Sequence, residues 1–156
     1  MLPSVTHPPT GPTGQQAVDF GISLKHAQHL LGLRIDAAMR PLDLSLGLWG
    51  VLREIGRSPG ASASELGRTS FHTPQTVGGL LQRLQNQGLV ERSTGRGRIV
   101  ENHLTRQGTK VLRQATAAVD DVVSSSLAHI DASHIRQASR FLNEYVAAMT
   151  SPPDHG

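Results

Sequence analysis

Apolar residues recur at helical spacing over most of the chain. Between 18 and 39, Ile22, Leu24, Leu31, Leu33, Ile35 and Ala38 are too many for one narrow stripe, which predicts a helix buried on more than one side. Pro41 ends it. Leu48, Val51, Leu52 and Ile55, at three- and four-residue steps, predict a second helix over 45–56, closed by the turn Arg57-Ser58-Pro59-Gly60. Ser62-Ala63-Ser64-Glu65 fits a capping box, in which the Ser hydroxyl caps the backbone at Glu65 and the carboxylate reaches back. It opens a short helix over 63–69. Thr73 is a good N-cap and Pro74 suits the first helical position, so a fourth helix begins there, carries Val77, Leu80, Leu81 and Leu84, and stops at Gly88. Two short strands are predicted over 89–92 and 98–104 around a turn at 93–97. Thr105 then caps a long helix over 106–129. Asp131 or Ser133 opens a final one, where Ile135, Ala138, Leu142, Tyr145 and Met149 recur at coiled-coil-like spacing. Residues 1–16 and 151–156, rich in Pro, Thr, Ser and Gly, read as a disordered arm and tail. The fold class is mainly α with a small β-hairpin, and helix–turn–helix followed by such a hairpin is a winged helix–turn–helix.

Composition narrows the chemistry. The 156 residues suit one domain with extensions. A net charge of +3 rules out a uniform basic coat. The positive charge is instead local: seven Lys/Arg side chains lie between positions 83 and 113 against Glu91 and Glu101. With no cysteine, disulfides, Cys-ligated zinc, iron–sulfur clusters, thiol catalysis and thiol redox sensing are excluded. No apolar run approaches the roughly 18 residues of a membrane span and no signal-peptide pattern opens the chain, so a soluble cytoplasmic protein is expected. No G-x-S-x-G, H-E-x-x-H, Walker or Rossmann pattern occurs, and Asp120 and Asp121, adjacent on a helix, point different ways. Neither catalysis nor a cofactor is expected.

Three stretches together resemble the MarR family of transcription regulators: LDLSLGLWGVL at 42–52, GASASELGRTSFHTPQTVGGLLQRLQNQGLVER at 60–92, and HLTRQG at 103–108. The resemblance runs over roughly residues 18–150. It implies a winged helix–turn–helix lobe at 41–105, with N- and C-terminal helices at 17–40 and 106–150 forming a dimerisation domain. The implied function is a homodimeric regulator of double-stranded DNA that reads a pseudo-palindromic operator. Such a protein is typically a repressor released by a small phenolic or aromatic acid. Dimer contacts are expected from Ile22, Ile135, Leu142, Tyr145 and Met149.

A recognition helix presents its N-terminal residues to base edges in the major groove. Gln75 can pair bidentately with adenine, and Thr73 and Thr76 can donate, accept or touch a thymine methyl. Ser62, Arg68, His72, Pro74, Gly79 and Arg83 complete the helical contact set. Gly78 and Gly79, costly inside a helix at about 1 kcal/mol each, serve either close approach to DNA or tight packing on a neighbouring helix. At the hairpin tip, Arg96 and Arg98 are placed for a narrow minor groove. Here the chain departs from the family, whose usual Asp–Arg brace is replaced by Arg96-Gly97-Arg98 on a shorter hairpin.

Ligand-lining candidates are His26, His29, Leu30 and Leu33 of the first helix, Trp49 of the second and Val111 of the fifth. Two other readings compete. His26, His29, His129 and His134 could hold zinc in a metal-responsive regulator, although no metal site is expected. Alternatively, the winged fold serves protein interaction without DNA binding.

Overall fold

The computed structural model describes residues 11–70 and 72–150. Helix α1 spans Gly14–Met39, α2 Leu46–Arg57, α3 Ala63–Ser70 and α4 Pro74–Asn86. Strands β1 (Val90–Thr94) and β2 (Val100–Leu104) follow, then α5 (Arg106–Leu127) and α6 (Ala132–Thr150). The chain divides into two compact units, one ending at Val122 and the other beginning at Val123.

In the first unit the helix starts are set by side chains. Ser45 accepts from Leu48 N–H at 3.3 Å, and the Asp36 carboxylate accepts from Leu46 N–H at 2.7 Å, so α1 helps to cap α2. The Ser62–Glu65 capping box forms as expected: Ser62 Oγ accepts from Glu65 N–H at 3.3 Å, and Glu65 accepts from Ser62 N–H at 2.8 Å. Gly88, at φ +70°, terminates α4, a left-handed position that glycine adopts without strain. The core is aliphatic. Leu48, Val51, Leu52 and Ile55 of α2, Leu66 of α3, and Val77, Leu81 and Leu84 of α4 are all at most 1% exposed. Leu89 and Val90 close it from the hairpin, and Val111, Ala115 and Val119 from α5.

Several boundaries shift. Helix α1 begins at Gly14, inside the expected arm, because Thr13 and Gln16 form a capping box of their own. Residues 1–10 and 151–156 lie outside the described residues. The two-sided burial expected of α1 is absent: only Ile35 and Met39 are buried, both near its C-terminus. Val18, Ile22, Leu30, Leu31 and Leu33 are exposed. The strands pair antiparallel with Val90 opposite Leu104 and Thr94 opposite Val100. This register lengthens β1 and shortens β2, leaving Arg98 in the connecting turn at φ +64° rather than in a strand. Helix α5 ends at Leu127, before the expected 129.

In the second unit, Asp131 accepts from the Ser133 N–H at 2.7 Å and from its hydroxyl, which holds the Asp131 carboxyl below the usual carboxylate range. Helix α6 buries no residue and exposes Phe141, Leu142, Val146 and Met149.

Candidate nucleic-acid interface

The first turn of α4 is amphipathic by construction. Thr73 has extended backbone and its hydroxyl accepts from Thr76 N–H at 3.2 Å, while the two hydroxyls meet at 2.9 Å. Val77, Leu81 and Leu84 face the core, so Thr73, Pro74, Gln75 and Thr76 are exposed on the opposite side. With both threonine hydroxyls engaged in the cap, Gln75 is the long polar side chain on this surface. One turn on, a Cβ at Gly78 or at Gly79 would meet nothing within 4 Å. Tight packing therefore does not account for these glycines, and the exposed face of α4 is bare backbone. The close approach is made instead by Gly67 of α3, unremarked in the sequence. A Cβ there would stand 3.3 Å from the His72 carbonyl oxygen and 3.6 Å from Pro74 N, so the missing side chain lets α3 seat against the start of α4.

The remaining expected contacts divide. Arg68 is exposed on α3. Ser62 is half-buried and held in the capping box. Its partner Glu65 has a lowered pKa, chiefly because Ser62 N–H and then Ser62 Oγ–H donate to it. A carboxyl depressed in the folded state contributes stability that is present above its ordinary pKa and lost as pH falls through the lowered value. Acid titration should therefore loosen the start of α3, and Glu65→Gln should flatten that part of the stability–pH curve; an unchanged curve would refute it. His72 turns inward and lines a cavity. Arg83 pairs with Asp43 at 3.2 Å, and Gln87 donates to the same carboxylate at 2.8 Å, tying the end of α4 to the turn before α2. Both partners are largely exposed, so the pair is weak and Arg83 can exchange it for a phosphate. Arg98 is exposed at the hairpin tip, where Gly95 N–H donates to the Ile99 carbonyl at 2.8 Å. The Arg96 side chain lies outside the described residues.

The six ligand-lining candidates are not brought together. Trp49 lines a cavity of about 420 Å³ with Gln28, Leu46, Arg53, Thr69 and His72. Its Nε1–H donates to Thr116 Oγ1 at 3.3 Å, and the Arg53 guanidinium stands 5.8 Å from the ring centre. Val111 borders a separate hollow beside Gln87 and Gln107. His26, His29, Leu30 and Leu33 are exposed on α1 and do not line the Trp49 cavity, whose α1 residue is Gln28. The 3.6-residue repeat marks which residues share a face but not which neighbour that face meets, and so does not reveal Gln28, Arg53 and His72 as lining residues. Among the described residues no three His, Asp or Glu side chains converge as a metal site, and no helix is long and apolar enough to cross a membrane.

Of the expected dimer residues, Ile22, Leu142 and Met149 are exposed, and Ile135 and Tyr145 are partly so. Phe141 and Val146 extend the apolar face of α6, and the Phe141 and Tyr145 rings stack with centroids 6.1 Å apart.

This geometry has counterparts. A family model described as the MarR family matches residues 42–99. The HTH-type transcriptional repressor Rv2887 of Mycobacterium tuberculosis is 32% identical over 127 residues, covering 80% of this chain and 91% of the relative. The crystal structure of Rv2887 in complex with DNA superposes with a TM-score of 0.67 at 30% identity, covering 80% of this chain and 95% of that one. The complex of the same protein with p-aminosalicylic acid superposes with a TM-score of 0.67 at 31% identity, covering 80% and 96%.

Proposed function

The chain belongs to the MarR family, and we propose that it is a homodimeric, cytoplasmic repressor that binds pseudo-palindromic double-stranded DNA and is released by a small aromatic or phenolic acid. One observation carries the reading. The first turn of α4 presents the exposed Gln75, a side chain able to pair with a base edge, and the glycines one turn on put no side chain in the way of a groove. The arginine-bearing hairpin follows it directly in the chain. Gln75 is the base-reading side chain, with Thr73, Thr76 and Arg68 positioned for phosphate or base, and Arg98 is the minor-groove residue. The DNA complex of the M. tuberculosis relative supports DNA binding as the activity.

For the ligand, the p-aminosalicylate complex of that relative supports an aromatic acid. The Trp49 cavity has the matching chemistry, with the indole for a ring and the Arg53 guanidinium, now paired with Glu54 at 3.3 Å, to be exchanged onto a ligand carboxylate. Release is then a population shift toward a dimer whose two helices no longer fit successive major grooves.

Selection of bound sequences from a random duplex pool should return a palindrome with half-sites about 10 bp apart. Affinity for it should fall on the order of 10³-fold between 50 and 200 mM salt. Salicylate should lower it further. Absence of binding at low salt would overturn the reading.

A further inference from the structure

The hairpin is anchored at its base by an unusual residue. Asn102, midway along β2, is wholly buried. Its Nδ2 donates to the Ala61 carbonyl at 2.8 Å, and its own carbonyl accepts from Gly60 N–H at 2.9 Å. Its Oδ1 is buried without a hydrogen-bond partner among the described residues. An unmade buried acceptor is destabilising, and a side chain of similar size without polar atoms would avoid that cost. The retained amide therefore calls for a use.

Its neighbours act on the same turn. Gly60 sits at φ +87°, and a Cβ there would come within 3.3 Å of the His103 ring. The Glu101 carboxylate, paired with His103 at 3.3 Å, lies over Gly95, where the absence of a side chain leaves it room. Three successive residues of β2 thus grip the hairpin tip on one side and the Gly60–Ala61 turn on the other. That turn leads straight into Ser62, the N-cap of α3, and Gly67 of α3 bears on the backbone at His72 and Pro74 where α4 begins. A short rigid path connects the hairpin to the DNA-reading helix, in a chain that has Arg96 where the family brace would have Asp.

We propose that Asn102 is a positioning residue for DNA binding, fixing the hairpin at the angle to α4 from which Arg98 reaches the minor groove. The inference rests on the DNA-binding reading above. Recognition elements must be held within fractions of an ångström of their working geometry, and a two-point hydrogen-bonded clamp does this where one strand–turn contact would pivot.

The test uses the full chain and the duplex recovered by selection. Asn102→Val fills the same buried space and leaves the Gly60–102 backbone bond in place. It relieves the unpartnered Oδ1 but takes the donor from the Ala61 carbonyl, so it should melt within a few degrees of the unaltered protein. It should nevertheless bind the duplex about tenfold more weakly, with a salt slope lower by about one, the loss of a single cationic contact. Its effect should be largely absent when Arg98 is already alanine, because the two act through one contact. Unchanged affinity and slope, or a loss that simply adds to that of Arg98→Ala, would overturn the proposal. Hydrogen exchange on the unaltered protein gives a second arm. The Gly60 amide should exchange as slowly as core amides of α2, and fast exchange there would equally overturn the clamp. Failure of the unaltered chain to bind DNA overturns the functional reading, whereas normal binding by Asn102→Val overturns this inference alone.

Discussion

Gly108→Ala is expected to cost the protein much of its stability. A Cβ at 108 would overlap the Leu89 carbonyl oxygen and stand 2.9 Å from the carbonyl carbon. The obstacle is backbone, which cannot swing aside as the end of a side chain can. It is also pinned. Thr105 N–H donates to that same Leu89 carbonyl at 3.1 Å, Thr105 Oγ–H donates to the Gly88 carbonyl at 2.7 Å, and Gly108 N–H donates back to Thr105 Oγ at 2.9 Å. The first turn of α5 is laced to the junction of α4 and β1, so relief requires breaking the lacing. Overpacking of this kind costs about 3 kcal/mol or more, a large share of a typical total of roughly 5–15 kcal/mol. The melting temperature followed by circular dichroism should fall by about 10 °C. A fall of less than two or three degrees would mean that α5 does not approach β1 this closely.

Gly79 should behave in the opposite way. Gly79→Ala adds a methyl group to open space and replaces a poor helix former, so the protein gains about 1 kcal/mol. Gly79→Glu should also fold, because nothing occupies the site. Yet it places a carboxylate one turn from Gln75, on the face proposed to meet DNA. Operator affinity should drop on the order of 10- to 100-fold, the equivalent of one or more lost base contacts. Thermal melts and duplex titrations on the same samples separate the two effects. Undiminished DNA binding by a well-folded Gly79→Glu protein would remove this face of α4 from the interface.

These two glycines show where the sequence was legible and where it was not. The helix starts were written in local chemistry: Ser62-x-x-Glu65, Thr73-Pro74 and Thr105 each cap the helix that their residue types predict. The buried stripes of α2 and α4 followed their periodicity for the same reason. Distances across the fold were not legible. Gly78 and Gly79 carry two opposed explanations, of which the empty space around them removes tight packing, and Gly67 and Gly108 give no sign that they are the glycines that backbone packs against. Arg83 also pairs with Asp43, forty residues away in sequence, a contact that no local pattern announces. Arg98 was expected on a strand because apolar residues follow it, whereas the register placed it in the turn. The ligand candidates scattered because a helix face does not announce which neighbour it meets.

Under the proposed dimeric reading, the exposed apolar side chains of α1 and α6 make DNA binding a gauge of the chain's own abundance. Surfaces such as Ile22 and Leu33, or Phe141 and Val146, favour the state in which a second copy covers them. Below the concentration at which copies pair, operator occupancy then rises with roughly the square of the amount of chain, because two chains must meet before either half-site is held well. A twofold change in synthesis is read as nearly fourfold at the promoter. A gene under such control passes from silent to expressed over a narrower range of repressor than a monomer could define.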